Sequence, residues 1–530
     1  MVSSKQLTLG ASTNRHLFLI LITLAWMLRT LPARSDETFE RSAAAAVAAE
    51  VAHKQKMRQL FPDRMGDAQA TPAVIPQLDI DADLSGKVAT YQPNGSTLTV
   101  NSPFFQNLGT NGRTCFSCHQ PQDGWSLSAA HAQARFANDP NDPLFRLVDG
   151  ATCPSASVPT LDAKRAAYTL LLKKGLIRIG LPMQSTMDFQ ILDVTDPYGC
   201  TTDPLTGLTG SKSGFVSFYR RPLPSANLGL LSTIMWDGRE PDLSHQSVDA
   251  TMGHAQANIA PTPSQQQQIV GFEGCTTANN PDGCAGIPPG GGLFTAQLFD
   301  NDAGYLGANG AQGGPVTLSQ QLDSFFIGIN DPLGFNPTGA TFSPVIFTIF
   351  DAWSKLRGNG REIAARQAIQ RGEEVFNSVP INITGVTGLN DALNMKSISG
   401  FCGTCHDTPN SGNHSVKAPL NIGVANAGVQ APPVLDISGL PVFRVWCTRG
   451  NLSGQMFEVT DIGRAMISGN CTDIGKVKGP ILRGLAARAP YFHNGSAATL
   501  DDVVEFYDQR FQIGLTARQK ADLVAFLRAL

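Results

Sequence analysis

At 530 residues, with 42% of them hydrophobic, the chain is long enough for two or three domains with cores of their own. Its 40 Lys and Arg against 43 Asp and Glu leave a net charge of −3, so there is no basic footprint for nucleic acid, and charge identifies no other partner. Lys5, Arg15 and His16 lead into the apolar run Leu17 to Leu28 and a cleavage-like Leu31-Pro32-Ala33, the layout of a secretory signal over residues 1–35. That run is too short to span a bilayer comfortably, which leaves an uncleaved anchor as the lesser reading; no later segment is long and apolar enough, so no membrane span is expected after cleavage.

Residues 36–100 read as an N-terminal extension, with an Ala-rich helix from Glu40 to Met57 and a turn-rich stretch from Pro62 to Ser102. A first domain is expected over 101–360. Within it, Lys174 to Val194 has the β-branched alternation of a hairpin, and Gln265 to Pro344, rich in Gln, Gly, Asn and Pro, reads as long surface loops, either inert or serving as a lid or docking surface. A second domain over 361–530 opens on the helix Arg361 to Phe376, whose expected buried stripe is Ile363, Ala364, Ile369 and Val375. Near the end Thr499 and Asp502 form a capping box before a helix with Leu500, Val503, Val504 and Tyr507 on one face; a last helix opens at Thr516 and carries Leu523, Val524 and Leu527. The expected fold is mainly α, with long loop insertions and a few short strands.

A haem expectation comes from Cys115-Phe-Ser-Cys118-His119 and Cys402-Gly-Thr-Cys405-His406. Each Cys-x-x-Cys-His supplies two thiols for thioether bonds to one haem and an imidazole to ligate its iron. A redox Cys-x-x-Cys or a zinc site would not need the histidine in both copies. Two covalently bound haems c are the implied cofactors, one in each of two cytochrome c-type haem domains. The other cysteines, Cys153, Cys200, Cys275, Cys284, Cys447 and Cys471, are even in number, as disulfides in an oxidising compartment require. Short loops favour pairing 153 with 200, 275 with 284 and 447 with 471, although sequence alone allows other pairings. A periplasmic or secreted location follows.

Two further stretches are Met235-Trp236-Asp237-Gly238-Arg239, followed by Gln246, and Ala489-Pro490-Tyr491-Phe492-His493-Asn494-Gly495-Ser496, followed by Tyr507. With the two haem motifs in this order, the chain resembles the di-haem bacterial cytochrome c peroxidase and MauG superfamily. The resemblance covers the surroundings of both motifs and the C-terminal third, and it finds no counterpart for the extension or for the stretches near 135–215 and 257–350.

The resemblance implies that Trp236 relays electrons or holes between the haems, that Gln246 lies in the distal pocket of the first haem, and that His119, His406 and Tyr507 ligate iron. Where family peroxidases carry an acid-base glutamate, an ungapped count lands on Gln256, and an amide cannot shuttle a proton as a carboxylate does. His254 is open to three roles: proton shuttle, sixth iron ligand, or a hydrogen bond within the fold. His245 reads as a surface or supporting residue and His131 as exposed. No histidine stands between His131 and His245, where many family members place a removable ligand, so the first haem is expected to be open. At position 507 the peroxidases have methionine and MauG-type enzymes tyrosine, a hard donor that favours higher iron oxidation states; a core tyrosine is the plain alternative. The family's calcium is in doubt, because the matching positions are Arg221, Arg488 and Pro490, and a guanidinium repels the metal.

The expected function is a di-haem oxidoreductase using hydrogen peroxide at the first haem and passing oxidising equivalents through Trp236 to the second, with catalytic candidates Trp236, Gln246, His254 and Gln256. Electrons would come from a small redox protein or an oxidisable substrate. The alternatives are a dioxygen-using oxygenase acting on an apolar substrate and a non-enzymatic di-haem electron carrier.

Overall fold

The most tightly packed part of the fold is built on three helices: Arg361–Ser378, Leu500–Phe511 and Ala517–Ala529. The computed structural model describes residues 71–83, 86–200, 214–274, 291–298 and 313–530; the signal, the Ala-rich helix and the Cys275–Cys284 pairing lie outside them. All the described residues fall in one unit, Met65–Leu530.

The capping box at Thr499 forms as expected. Thr499 Oγ1 accepts from Asp502 N at 3.1 Å while the Asp502 carboxylate accepts from Thr499 N at 2.9 Å, and Thr516 caps the last helix in the same way with Gln519. Leu500, Val504, Leu523, Val524 and Leu527 are buried with Ile369, Val375 and Phe376 in one core, each such side chain stabilising the fold by about 1.5–3 kcal/mol. Of the expected stripe on Arg361–Ser378, Ile369 and Val375 are buried and Ala364 is exposed. Gly372 permits the closest approach: a Cβ there would lie 2.0 Å from the carbonyl oxygen of Asp522.

Helices supply more residues than strands, but strands are more numerous than expected: among the described residues, twelve form five small antiparallel sheets. Lys174 to Val194 is not a hairpin. Its strands, Ile177–Pro182 and Phe189–Thr195, pair with Phe215–Arg220 and with Val442–Cys447 respectively. The second pairing carries a sheet across the boundary expected at 360. The stretch expected to be loops holds a helix, Pro263–Glu273, opened by the Thr262 and Gln265 capping box with Pro263 in the first turn, and a strand, Phe294–Gln297, which joins Lys87–Tyr91 and Leu78–Ala82 from the extension. Cys153 is bonded to Cys200 and Cys447 to Cys471. Among the described residues no helix is long and apolar enough to cross a membrane.

Candidate functional site

The two Cys-x-x-Cys-His segments fold alike. Each is a single 3-10 turn, Cys115–Ser117 and Cys402–Thr404. The preceding amide donates to the hydroxyl at the turn's third residue, Thr114 N to Ser117 Oγ and Phe401 N to Thr404 Oγ1, both at 3.0 Å. The histidine amides then bond back to the first cysteine carbonyls, at 3.1 Å in both copies. His119 Nδ1 pairs with the Trp125 carbonyl at 2.9 Å and His406 Nδ1 with the Gly412 carbonyl at 2.7 Å. These bonds place the ring proton on Nδ1 and leave Nε2 with its lone pair.

Burial pushes the His119 ring down to about 4 and lowers His406 as well, so both rings are neutral, as ligands must be. The four cysteines are outside any disulfide. Burial raises all four thiols, Cys402 and Cys405 to about 12, the opposite of the lowered values of reactive redox pairs. Unpaired buried thiols with a neutral imidazole beside them fit a covalently held haem at each motif.

Beside Cys115, Cys118 and His119 opens a cavity of about 140 Å³. Gln246, Ala250 and His254 line it from the helix Leu243–Gly253 and its C-cap, a spacing of four that brings them to one side. His254 Nδ1 pairs with Asp149 Oδ2 at 2.6 Å, and the other oxygen of Asp149 accepts from Arg113 Nη1 at 2.5 Å. Burial alone would raise Asp149, but Arg113 and His254 hold it at about 2. Gln256 is not brought to this cavity: its side chain accepts from Asn111 Nδ2 at 3.3 Å, and it borders a separate groove with Tyr168 and Arg178. The residues from 254 to 256 turn sharply, with Gln256 at φ 54°, so a count along the chain does not follow the wall of the cavity.

His131 is mostly buried, its Nδ1 paired with Asp123 at 2.7 Å, contrary to the expected exposure. His245 is exposed and bonded to Asp242. Two cavity residues were missed from the sequence. Burial holds Glu273 up at about 7, with Oε2 lacking a hydrogen-bond partner, and burial, aided by Arg488, holds Lys478 down at about 7. Neither belongs to a motif, so no local signal marked them.

Trp236 is buried, its indole N–H donating to the Arg221 carbonyl at 2.8 Å and its ring 6.1 Å from that of His493. Its own carbonyl accepts from Lys478 N at 2.8 Å. Lys478 faces the first cavity, and a Cβ on the adjoining Gly479 would stand 3.7 Å from the Cys405 carbonyl, so this peptide runs between the two motifs. Arg220 clamps the region, bonding Asp237 and Asp461, each buried. Arg221 donates to the Arg488 carbonyl at 2.8 Å, placing a fixed cation on a carbonyl that the resemblance assigns to calcium.

Tyr507 shares an apolar cluster with Cys402 and Cys405. Burial, aided by those two thiols, raises its phenol, and its hydroxyl makes no hydrogen bond among the described residues. His414, also missed, is buried near His406 with both ring nitrogens lacking hydrogen bonds.

No family model matches the chain. Among curated proteins it is similar to cytochrome-c peroxidase IdrP2 of Denitromonas iodatirespirans, 37% identical over 150 residues, which cover 26% of this chain and 38% of that protein. It is also 42% identical over 72 residues to cytochrome c peroxidase Ccp of Escherichia coli (strain K12), covering 13% of this chain and 15% of that protein. The matches thus span less than half the length of these relatives. A solved structure described as a MauG-like protein associated with microbial copper homeostasis aligns with 81% of this chain and 87% of its own, at 16% identity and a TM-score of 0.31, too loosely to carry weight. Over the matched stretches the chain is thus similar to cytochrome-c peroxidases, and together with the two Cys-x-x-Cys-His segments this likeness supports a peroxidase-like di-haem protein.

Proposed function

We propose that the protein is an extracytoplasmic di-haem oxidoreductase that uses hydrogen peroxide beside His119 and shares the oxidising equivalents with a second site at His406 and Tyr507. The observation that carries this reading is the cavity against His119, lined by Gln246 and His254. Cys115, Cys118 and His119 would hold one haem; Cys402, Cys405, His406 and Tyr507 would hold the other. When bound, the haem groups supply the electrons that break the peroxide O–O bond and store the resulting oxidation.

The protein's own part is to orient and insulate. Gln246 offers an amide donor and acceptor to peroxide in the cavity. Trp236 is placed to relay charge, and its N–H rests on the Arg221 carbonyl, which cannot take the proton, so the indole keeps it on oxidation. The Tyr507 hydroxyl makes no hydrogen bond among the described residues, which leaves it open to serve as a hard donor to an iron that would take the place of its proton. The two disulfides agree with an oxidising compartment. Electrons would come from a small redox protein or an oxidisable substrate; with the fixed Arg221 cation on the Arg488 carbonyl, calcium is not part of the reading.

The test is the optical spectrum of the ferric, haem-loaded protein during stoichiometric peroxide addition without reductant. A prompt Soret change giving a long-lived oxidised species is expected. No change would mean a closed first haem and would favour the electron carrier.

A further inference from the structure

We propose that Asp149, held by Arg113, positions His254 as the proton-handling group of the cavity beside His119, in place of the carboxylate expected at 256. This rests on the reading that peroxide is used in that cavity.

His254 is fixed through its ring and through its backbone. Its Nδ1 lies 2.6 Å from Asp149, and the His254 backbone carbonyl accepts from Asn111 Nδ2 at 2.8 Å and from Arg113 Nη1 at 3.3 Å. Thr110 bonds the next two carbonyls, of Ala255 at 3.0 Å and of Gln256 at 2.8 Å. The approach needs Gly109, where a Cβ would stand 1.8 Å from the Ala255 oxygen. Arg113 is in turn spent on Asp149 and the carbonyls of Pro143 and Leu144, each at 2.7 Å. A segment only a few residues before Cys115 thus holds His254 against the first haem motif.

With its proton drawn to Nδ1 by a carboxylate, the ring presents Nε2 as the base, the arrangement by which a buried aspartate sets the tautomer of a catalytic histidine. With a haem held at Cys115, Cys118 and His119, that group would supply the two electrons for O–O cleavage and retain one oxygen, while Nε2 would take a proton from peroxide and return it to the oxygen that leaves as water, so that the ring carries no net proton away. The same clamp works against ligation, because the ring cannot swing toward iron without breaking the Asp149 contact. The other charged or titratable groups about the cavity are Arg113, Cys115, Cys118, His119, Arg221, Glu273 and Lys478.

The experiment is stopped-flow cyanide association with the ferric, haem-loaded protein, since hydrogen cyanide must give up a proton to bind, with carbon monoxide binding to the ferrous protein as the proton-free control. Asp149→Asn should slow cyanide association at least about tenfold and His254→Leu about a hundredfold, the scale of a lost general base, with carbon monoxide binding unchanged. Asp149→Glu, which keeps the charge opposite Arg113 and displaces the carboxylate, serves if Asp149→Asn does not fold. Unchanged cyanide kinetics in the Asp149 variants would overturn the proposal, as would equal slowing of both ligands, which marks a structural role. Loss in Glu273→Gln alone would move the role to Glu273. Each of these leaves the peroxide reading standing, whereas a wild-type protein that takes up neither cyanide nor peroxide ends both.

Discussion

Replacing Arg220 by Met should be among the most damaging single changes outside the haem motifs. Arg220 is 1% exposed and makes three charge-assisted hydrogen bonds, Nη1 to Asp237 at 2.5 Å and Nε and Nη2 to Asp461 at 2.6 and 2.9 Å. Burial would raise both carboxyls, but Arg220 holds both low. After the substitution Asp237 keeps Arg239 at 3.0 Å, while Asp461 retains the Gly463 amide at 2.7 Å and a neutral His493 at 3.8 Å. One buried carboxylate is therefore left without a cation, which costs about 3–5 kcal/mol. The assay is urea denaturation followed by circular dichroism at neutral pH, in the wild type, Arg220→Met, Asp461→Asn and the double variant. The double variant should recover more than half of the loss, because the amide carries no charge to strand. A loss under about 1 kcal/mol, or no recovery in the double variant, would refute this account of the network.

Tyr507→Phe should alter the optical and electron paramagnetic signature of the second haem, and an unchanged ligand field would assign Tyr507 to the core alone. Glu273 is raised by burial from 4.5 to about 7, so its contribution to stability is fully present below pH 4.5 and lost as the pH rises through about 7. Glu273→Gln removes that loss, so its stability relative to the wild type should rise by about 3 kcal/mol between pH 4 and pH 8, read from denaturation midpoints; a pH-independent difference would contradict it.

What could be read along the chain was whatever short-range geometry decides. The Cys-x-x-Cys-His motifs, the capping box at Thr499 and the Cys447–Cys471 disulfide join residues through a turn or a short loop, where few conformations compete. The amphipathic stripe of Leu500, Val504 and Tyr507 was legible for the same reason. The hairpin expected before Thr195 was not, because alternation marks a strand but not its partner, and Phe189–Thr195 found Val442–Cys447 instead.

The proton-handling candidate shows the limit most clearly. Counting ten residues past Gln246 assumed a regular path, and the left-handed turn at Gln256 sent that side chain to Asn111. Asp149 stands 105 residues before His254, and Arg220 stands 241 residues before Asp461. By itself the sequence determined that two Cys-x-x-Cys-His segments exist and what surrounds them locally. Only the tertiary structure decided which carboxylate orders the histidine of the first cavity, and which cation rests on the carbonyl of Arg488. Such pairs are chosen by burial, which forces each enclosed charge to find a partner wherever the fold supplies one.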